Sequence, residues 1–195
     1  MEDLAGLAGL LYEIGLLKRY KRTGWLIAGV REPESIAEHS FRTAIIAAVL
    51  AAMEGADPQR AAFLSLFHDT QETRTTDIPY LGKRYLQVAP NEQVTADQVR
   101  DIPGPVADVI TGAVDEYETK TSLEAVCARD ADKLDCLMQA LEYRDQGHQN
   151  VQGWIDTSVA ALATETGKRL AEEVQRSGSL DWLAHALNGG SAPSS

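Results

Sequence analysis

Cysteine is nearly missing: Cys127 and Cys136 are the only two in 195 residues. On one helix, their separation in sequence puts them about 13 Å apart at 1.5 Å per residue, and a disulfide needs Cα atoms within about 7 Å. They cannot pair with each other, which fits a reducing compartment. Aromatic residues are also scarce, at 6%, while Ala and Leu are abundant, which points to helices. Basic residues are outnumbered 18 to 29, giving a formal net charge of −11. That balance argues against a broad nucleic-acid-binding or anionic-membrane-binding surface. It leaves room for a phosphate-bearing substrate, because a metal ion and a few arginines reverse the field locally. Long apolar runs are absent too. The longest, Ala44 to Met53, has ten residues, too few to span a bilayer. The start, Met1-Glu2-Asp3, is acidic where a signal peptide would be basic, so the expectation is a soluble, cytoplasmic protein. Gly-rich phosphate loops, Cys-x-x-Cys pairs and Gly-x-Ser-x-Gly elbows are lacking, which removes nucleotide triphosphatase motors, zinc ribbons and serine hydrolases.

What is present reads as one all-α domain over residues 1–188, with a Gly/Ser/Pro-rich tail at 189–195 expected to be disordered. Leu4, Leu7, Leu10, Leu11 and Ile14 recur at helical spacing, so a helix is expected from about 3 to 17. A basic cluster follows (Lys18, Arg19, Lys21 and Arg22), either a solvated helix end favoured by the dipole or a phosphate-binding element. A loop then reaches Pro33. Ser35 and Glu38 have capping-box spacing, which starts the next helix near Ile36. Its stretch from Ala44 to Met53 is apolar all round, as expected of a fully surrounded element, and Gly55 ends it. Asp57-Pro58 reads as N-cap and first-turn proline of a helix running into His68-Asp69. Residues 70–102 look irregular, the kind of segment that rims an active site. Further helices are expected over 105–117, from Leu123 (capped by Ser122) to about Gln146 (stopped by Gly147), over 154–175 as one piece, and over 180–187.

Chemistry concentrates in three places. His39 begins a buried helix, His68-Asp69 closes the next, and Asp130-Ala131-Asp132-Lys133-Leu134-Asp135 lies inside a later one. Two imidazoles and two carboxylates suit a divalent ion that accepts mixed N/O ligands in octahedral geometry. Adjacent helical residues diverge by about 100°, so His68 and Asp69 share an ion most easily at a helix end, where they fall. Arg42, one turn beyond His39, can reach a phosphate or sit on a solvated face. His148 and His185 read as surface or packing histidines.

The order His39, His68-Asp69, Asp132 resembles the H…HD…D signature of the HD-domain superfamily. Several segments resemble the YfbR-like 5′-deoxynucleotidases and their eukaryotic HD-domain-containing relatives. They are Arg22-Thr23-Gly24-Trp25, Pro33 through Ser40, His68 through Glu72, Asp77-Ile78-Pro79 and Asp115 through Glu118. The resemblance spans about residues 10 to 155. It implies a helical HD-domain bundle and one divalent ion (Mn, Co, Mg, Ni or Zn) on His39, His68, Asp69 and Asp132. Helical periodicity leaves Asp130 as a competitor. Asp130 sits near the centre of the stripe of Leu123, Val126, Leu134, Leu137 and Leu141, while Asp132 lies opposite, among Ala128, Cys136 and Ala140.

The resemblance further implies that Glu72 handles a proton beside the metal, and that Asp77 faces the substrate. Asp77 can equally cap the turn before Pro79. A metal lowers the pKa of bound water towards roughly 7, and a nearby carboxylate takes or returns the proton. Arg22 and Trp25 resemble residues that border the phosphate and the sugar, where an indole against C2′ would favour deoxyribose. Thr23 and Gly24 separate them here, as in the eukaryotic branch. The activity implied is hydrolysis of deoxyribonucleoside 5′-monophosphates by a homodimer, although no apolar seam in the sequence marks a dimer. The alternatives are a phosphohydrolase acting on another nucleotide or phosphorylated metabolite, and a non-catalytic helical module that binds nucleotides or a partner.

Overall fold

The computed structural model describes residues 4–187, so the tail expected to be disordered lies outside the described residues. The helices are α1 (Ala5–Ile14), α2 (Gly24–Ile27), α3 (Ile36–Glu54), α4 (Pro58–Phe67), α5 (Glu72–Thr75), α6 (Asn91–Gln98), α7 (Gly104–Thr119), α8 (Leu123–Asp145), α9 (Gln152–Ala160), α10 (Glu165–Arg176) and α11 (Asp181–Leu187). No strand occurs among the described residues, where Lys21 and Ser35 form an isolated bridge. The all-α expectation holds.

The centre is α3 packed on α4 and α8, with α7, α9 and α10 around them. Local chemistry sets each terminus. Ser35 and Glu38 close a reciprocal capping box at α3, and Gly55 ends that helix at φ 78°, a left-handed turn that glycine takes without steric cost. The Asp57 side chain accepts from the N–H groups of Gln59 and Arg60, and Pro58 follows as the first helical residue. Ser122 caps α8 through the N–H of Ala125. Small residues line the contacts: Ala47 and Ala51 on α3, Ala61 on α4, and Ala125, Ala128, Ala131 and Ala140 on α8 are all fully buried. Side chains of that size let axes approach to the close end of about 8–10 Å. Leu50, Leu64, Leu134 and Leu137 fill the spaces between them, each worth about 1.5–3 kcal/mol of apolar burial.

Four expectations change. The first helix ends at Ile14 and tightens into a 3₁₀ turn over Gly15–Lys18. The stretch after the basic cluster holds the one-turn α2, and the irregular 70–102 segment holds α5, a 3₁₀ turn and the two-turn α6, whose polar sequence carries little apolar periodicity. Helix α3 is not fully surrounded: Phe41, Ile45, Val49 and Met53 form an exposed row at four-residue spacing. It is long and apolar enough to cross a membrane, yet half of that stretch is buried inside this fold.

Finally, the single helix expected over 154–175 is two. The chain breaks between Ala160 and Glu165 because the buried Asp130 carboxylate accepts from Ala163 N at 2.9 Å, Thr164 N at 2.7 Å and Thr164 Oγ1 at 2.6 Å, seeding α10. Gly167 makes room, since a Cβ there would lie 2.7 Å from Asp130 Oδ2. Asp130→Ala would leave those buried donors without a partner and lower folding stability by roughly 2–3 kcal/mol. A urea denaturation midpoint unchanged by the substitution would remove Asp130 from this role.

Candidate metal centre

Three elements bring the site together. The capping box starts α3 at Ile36, which sets His39 in its first turn, fully buried. His68 is the C-cap of α4, and Asp69 follows where the chain leaves the helix. Asp132 sits mid-way along α8 on its second buried face, beside Ala128 and Cys136.

The His39 ring is the hub. Its Nε2 lies 3.3 Å from His68 Nε2, 3.3 Å from Asp132 Oδ1 and 3.7 Å from Asp69 Oδ2, while His68 Nε2 is 3.1 Å from Asp69 Oδ2. Metal–ligand bonds of roughly 2.0–2.2 Å place neighbouring ligand atoms roughly 3 Å apart, so these spacings suit one shared cation. Both other ring nitrogens are occupied. His39 Nδ1 donates to Asp135 Oδ2 at 2.6 Å, and His68 Nδ1 donates to the Ser65 carbonyl at 2.7 Å. Assigned by that network, both Nε2 atoms carry lone pairs that face each other. Such an arrangement needs a proton or a cation between them.

Electrostatics agree. Burial and the Arg22 charge oppose a proton on His39, but Asp132 and Asp135 outweigh them and hold its pKa up at about 9. Burial raises the Asp69 carboxyl, yet His68, Arg22 and His39 pull it below the usual carboxylate range. Asp132 is likewise disfavoured as an anion by burial and held low by His39 and Lys133. Ionised carboxylates around two imidazoles fit a divalent ion by donor chemistry as well as by spacing.

The remaining candidates separate. Arg22 donates to Asp69 Oδ2 at 3.3 Å and to Cys136 Sγ at 3.0 Å, so one cation of the basic cluster does enter the site. Glu72 lines a cleft of about 460 Å³ with His68, Asp69, Lys83, Asn91 and Glu118. Its Oε2 is buried with no hydrogen-bond partner among the described residues. Asp77 accepts from Thr23 N at 2.5 Å and its carbonyl accepts from Thr23 Oγ1 at 2.7 Å, tying the start of α2 to the cleft rim.

Trp25 differs from the expectation of a sugar contact. It is 2% exposed, its indole N–H donates to Glu34, and its rings pack on Tyr143 and Trp154. Arg42 differs as well. Its guanidinium is spent on Asp135, Glu142 and Gln139. It lines a separate hollow with Glu34, Phe41 and Tyr143. Asp130 is committed to α10, which leaves Asp132 as the α8 carboxylate at the centre. Asp135, 0% exposed, is the participant that residue reading passed over. Its position three residues after Asp132 puts both on one helix face, and that spacing was the available signal.

A buried bundle that closes two histidines and two aspartates round one point defines a helical protein of metal-centre type. A family profile described as HD domain matches residues 14–175, and the chain belongs to the HD-domain family. The human protein named 5′-deoxynucleotidase HDDC2 is 28% identical over 181 residues, 89% of this chain and 86% of that one. A Pyrococcus furiosus structure described as a conserved hypothetical protein is 33% identical, covers 87% of this chain and 99% of its own, and superposes with a TM-score of 0.72. A Magnetospirillum magnetotacticum structure described as a predicted metal-dependent phosphohydrolase is 22% identical over 90% of this chain and 92% of its own, with a TM-score of 0.68, a likeness of fold alone.

Burial, then the charges of Asp69 and Asp77, raise the Glu72 carboxyl to about 9. The folded chain therefore keeps a proton that the unfolded chain releases near roughly pH 4.3. Glu72 subtracts stability progressively as pH rises from there to its folded pKa. Metal-free Glu72→Gln should gain stability over the parent chain, by a margin that widens from about pH 5 to about pH 8. A urea denaturation series showing a constant margin would contradict that protonation state.

Proposed function

We propose that this protein is a metal-dependent phosphomonoesterase that releases phosphate from deoxyribonucleoside 5′-monophosphates. The observation that carries the reading is the convergence of His39, His68, Asp69 and Asp132, with His68 and Asp69 lining an open cleft. The proposal assigns those four side chains to one divalent ion. Relatives named 5′-deoxynucleotidase HDDC2 support the substrate class.

When bound, the ion supplies Lewis acidity and acidifies water. His39 and His68 would turn unprotonated Nε2 atoms to a bound ion, since Asp135 and the Ser65 carbonyl hold their Nδ1 protons and the extra proton that His39 carries in the metal-free chain is displaced on binding. Water adds to phosphorus as the P–O5′ bond breaks. Glu72, beside Asp69 on the cleft wall, would give up its own proton beside a bound cation, and is then placed to take the proton of the attacking water and return it to the departing 5′-oxygen. Arg22 offsets the charge that grows on the phosphoryl oxygens. Asp77 holds the Arg22–Trp25 turn through Thr23. A preference for deoxyribose rests on the named relatives, since the Trp25 ring is committed to the core. Buried, unpaired Cys127 and Cys136 accord with a cytoplasmic setting.

Phosphate release from matched ribo- and deoxyribonucleotides, with and without Mn²⁺, Co²⁺, Mg²⁺ or Ni²⁺, tests the activity. His68→Ala and Asp69→Ala should each lower it by roughly 10²-fold or more with helicity retained. Full activity in either variant would end this reading, and turnover of only other phosphate esters would shift the substrate.

The proposal includes a homodimer. The exposed row Phe41, Ile45, Val49 and Met53 on α3 is an apolar seam that a second copy would cover. Light scattering should give twice the chain mass for the parent protein and a shift towards the single-chain mass for Ile45→Lys. A monomeric parent would refute the dimer.

A further inference from the structure

Cys136 lies against the metal centre and has no part in the mechanism above. It follows Asp132 by four residues, so both side chains leave the same face of α8. Its Sγ is 3.9 Å from Asp132 Oδ1, and ligand atoms of His39, Asp132 and Cys136 all lie within 4.8 Å of one another. A second group with the same mutual spacing is His39, His68 and Asp69. The centre thus contains two overlapping sets of donors that share His39. One offers nitrogen and oxygen. The other adds sulfur.

We propose that His39, Asp132 and Cys136 form a second, thiophilic coordination mode of this centre, which takes Zn²⁺ or Cd²⁺ in preference to harder ions. The inference rests on the assignment of His39 and Asp132 as metal ligands. Three observations carry it beyond a cysteine that happens to lie near. The His39 Nε2 is fully buried and aimed into the centre, 3.3 Å from both His68 Nε2 and Asp132 Oδ1. Zinc bonds of roughly 2.0–2.3 Å to nitrogen, oxygen and sulfur put adjacent ligands at separations comparable to the 3.3 Å between His39 and Asp132 and the 3.9 Å between Asp132 and Cys136. The Cys136 Sγ is fixed at the centre by the Arg22 guanidinium, which donates to it at 3.0 Å and to Asp69 at 3.3 Å, so the sulfur sits on the same side as the other donors.

Ligation by Cys136 breaks the S–H bond, forms a metal–sulfur bond and passes the proton to solvent. Soft thiolate ligands discriminate for Zn²⁺ and against Mg²⁺ or Mn²⁺. Because the two modes draw on the same His39 and Asp132 atoms, an ion held by sulfur withdraws two of the four ligands assigned to phosphate-ester hydrolysis. Thiophilic ions therefore bind tightly in an arrangement that competes with the productive one.

The test is a titration of the full metal-free chain with Cd²⁺ and, separately, Mn²⁺, read by calorimetry and by the ultraviolet charge-transfer band of a cadmium thiolate. The parent chain should show the band at one equivalent. Cys127→Ser should keep it, which assigns it to Cys136 because the chain has no other cysteine. Cys136→Ser and Cys136→Ala should lose it, with Cd²⁺ affinity falling at least about tenfold and Mn²⁺ affinity changing by less than about twofold. No band in the parent chain, or a band lost in Cys127→Ser, would overturn the inference. Asp132→Asn separates the two levels. Unchanged Mn²⁺ affinity there would bring down the ligand assignment and this inference together. Weakened Mn²⁺ binding with a cadmium band that survives Cys136→Ser would bring down this inference alone.

Discussion

The short hydrogen bond between His39 Nδ1 and Asp135 decides what the buried centre of this fold is able to do. With the proton fixed on that nitrogen, the other faces inward as a lone pair, opposite a second imidazole arranged the same way by a backbone carbonyl. A proton or a cation between them satisfies both, and both sit among carboxylates, which is why His39 holds a proton up to about pH 9 in the metal-free chain. The interior is thus prepared for positive charge. Asp135 is itself held by Arg42, which ties to Gln139 and Glu142 one and two turns along α8. A chain of polar contacts therefore runs from the surface of α8 to the innermost ring nitrogen, and each buried charge along it has a partner.

Such a centre needs helices close enough for side chains of three elements to share one point. Alanines at the contacts of α3, α4 and α8 supply that proximity, and large aliphatic residues on either side keep it from collapsing further. The polar site is bordered by Tyr117, which packs on the His68 ring and is covered in turn by the Arg129 guanidinium. Burial on one side and an open cleft on the other give neighbouring carboxyls opposite tendencies. Asp69 touches His68 and Arg22 and stays ionised, while Glu72, three residues on, has an oxygen with no partner and keeps its proton. Two acids with separated proton affinities at the mouth of a cation site form a pattern suited to moving protons.

Elements whose ends are set by local chemistry were readable from residues. The Ser35–Glu38 box, the Asp57-Pro58 start, the Ser122 cap and the glycine stops each depend on atoms within four residues, and the structure has each of them. The interruption between α9 and α10 was not readable, because its cause is Asp130, more than thirty residues upstream. Apolar content also misled where it mattered most for surroundings. The stretch from Ala44 to Met53 carries no polar face to orient it, so which side would stay exposed depended on where α4 and α8 came to lie.

The same division runs through the site. Residue types and order brought His39, His68-Asp69 and the acidic run from Asp130 to Asp135 forward, and the resemblance to the HD-domain superfamily chose Asp132 from that run. Roles that depend on direction were decided only by packing. Asp130 and Asp132 differ by two residues and about 200° of helical turn, so one caps α10 and the other faces the centre. Trp25 and Arg42 carry groups suited to a substrate but are turned inward and backward by Glu34 and Asp135. The linear chain specified which chemical groups were present and which local turns would hold them. Three-dimensional packing chose where each group points, because a side chain's partner across a helix interface is fixed by neighbours remote in sequence.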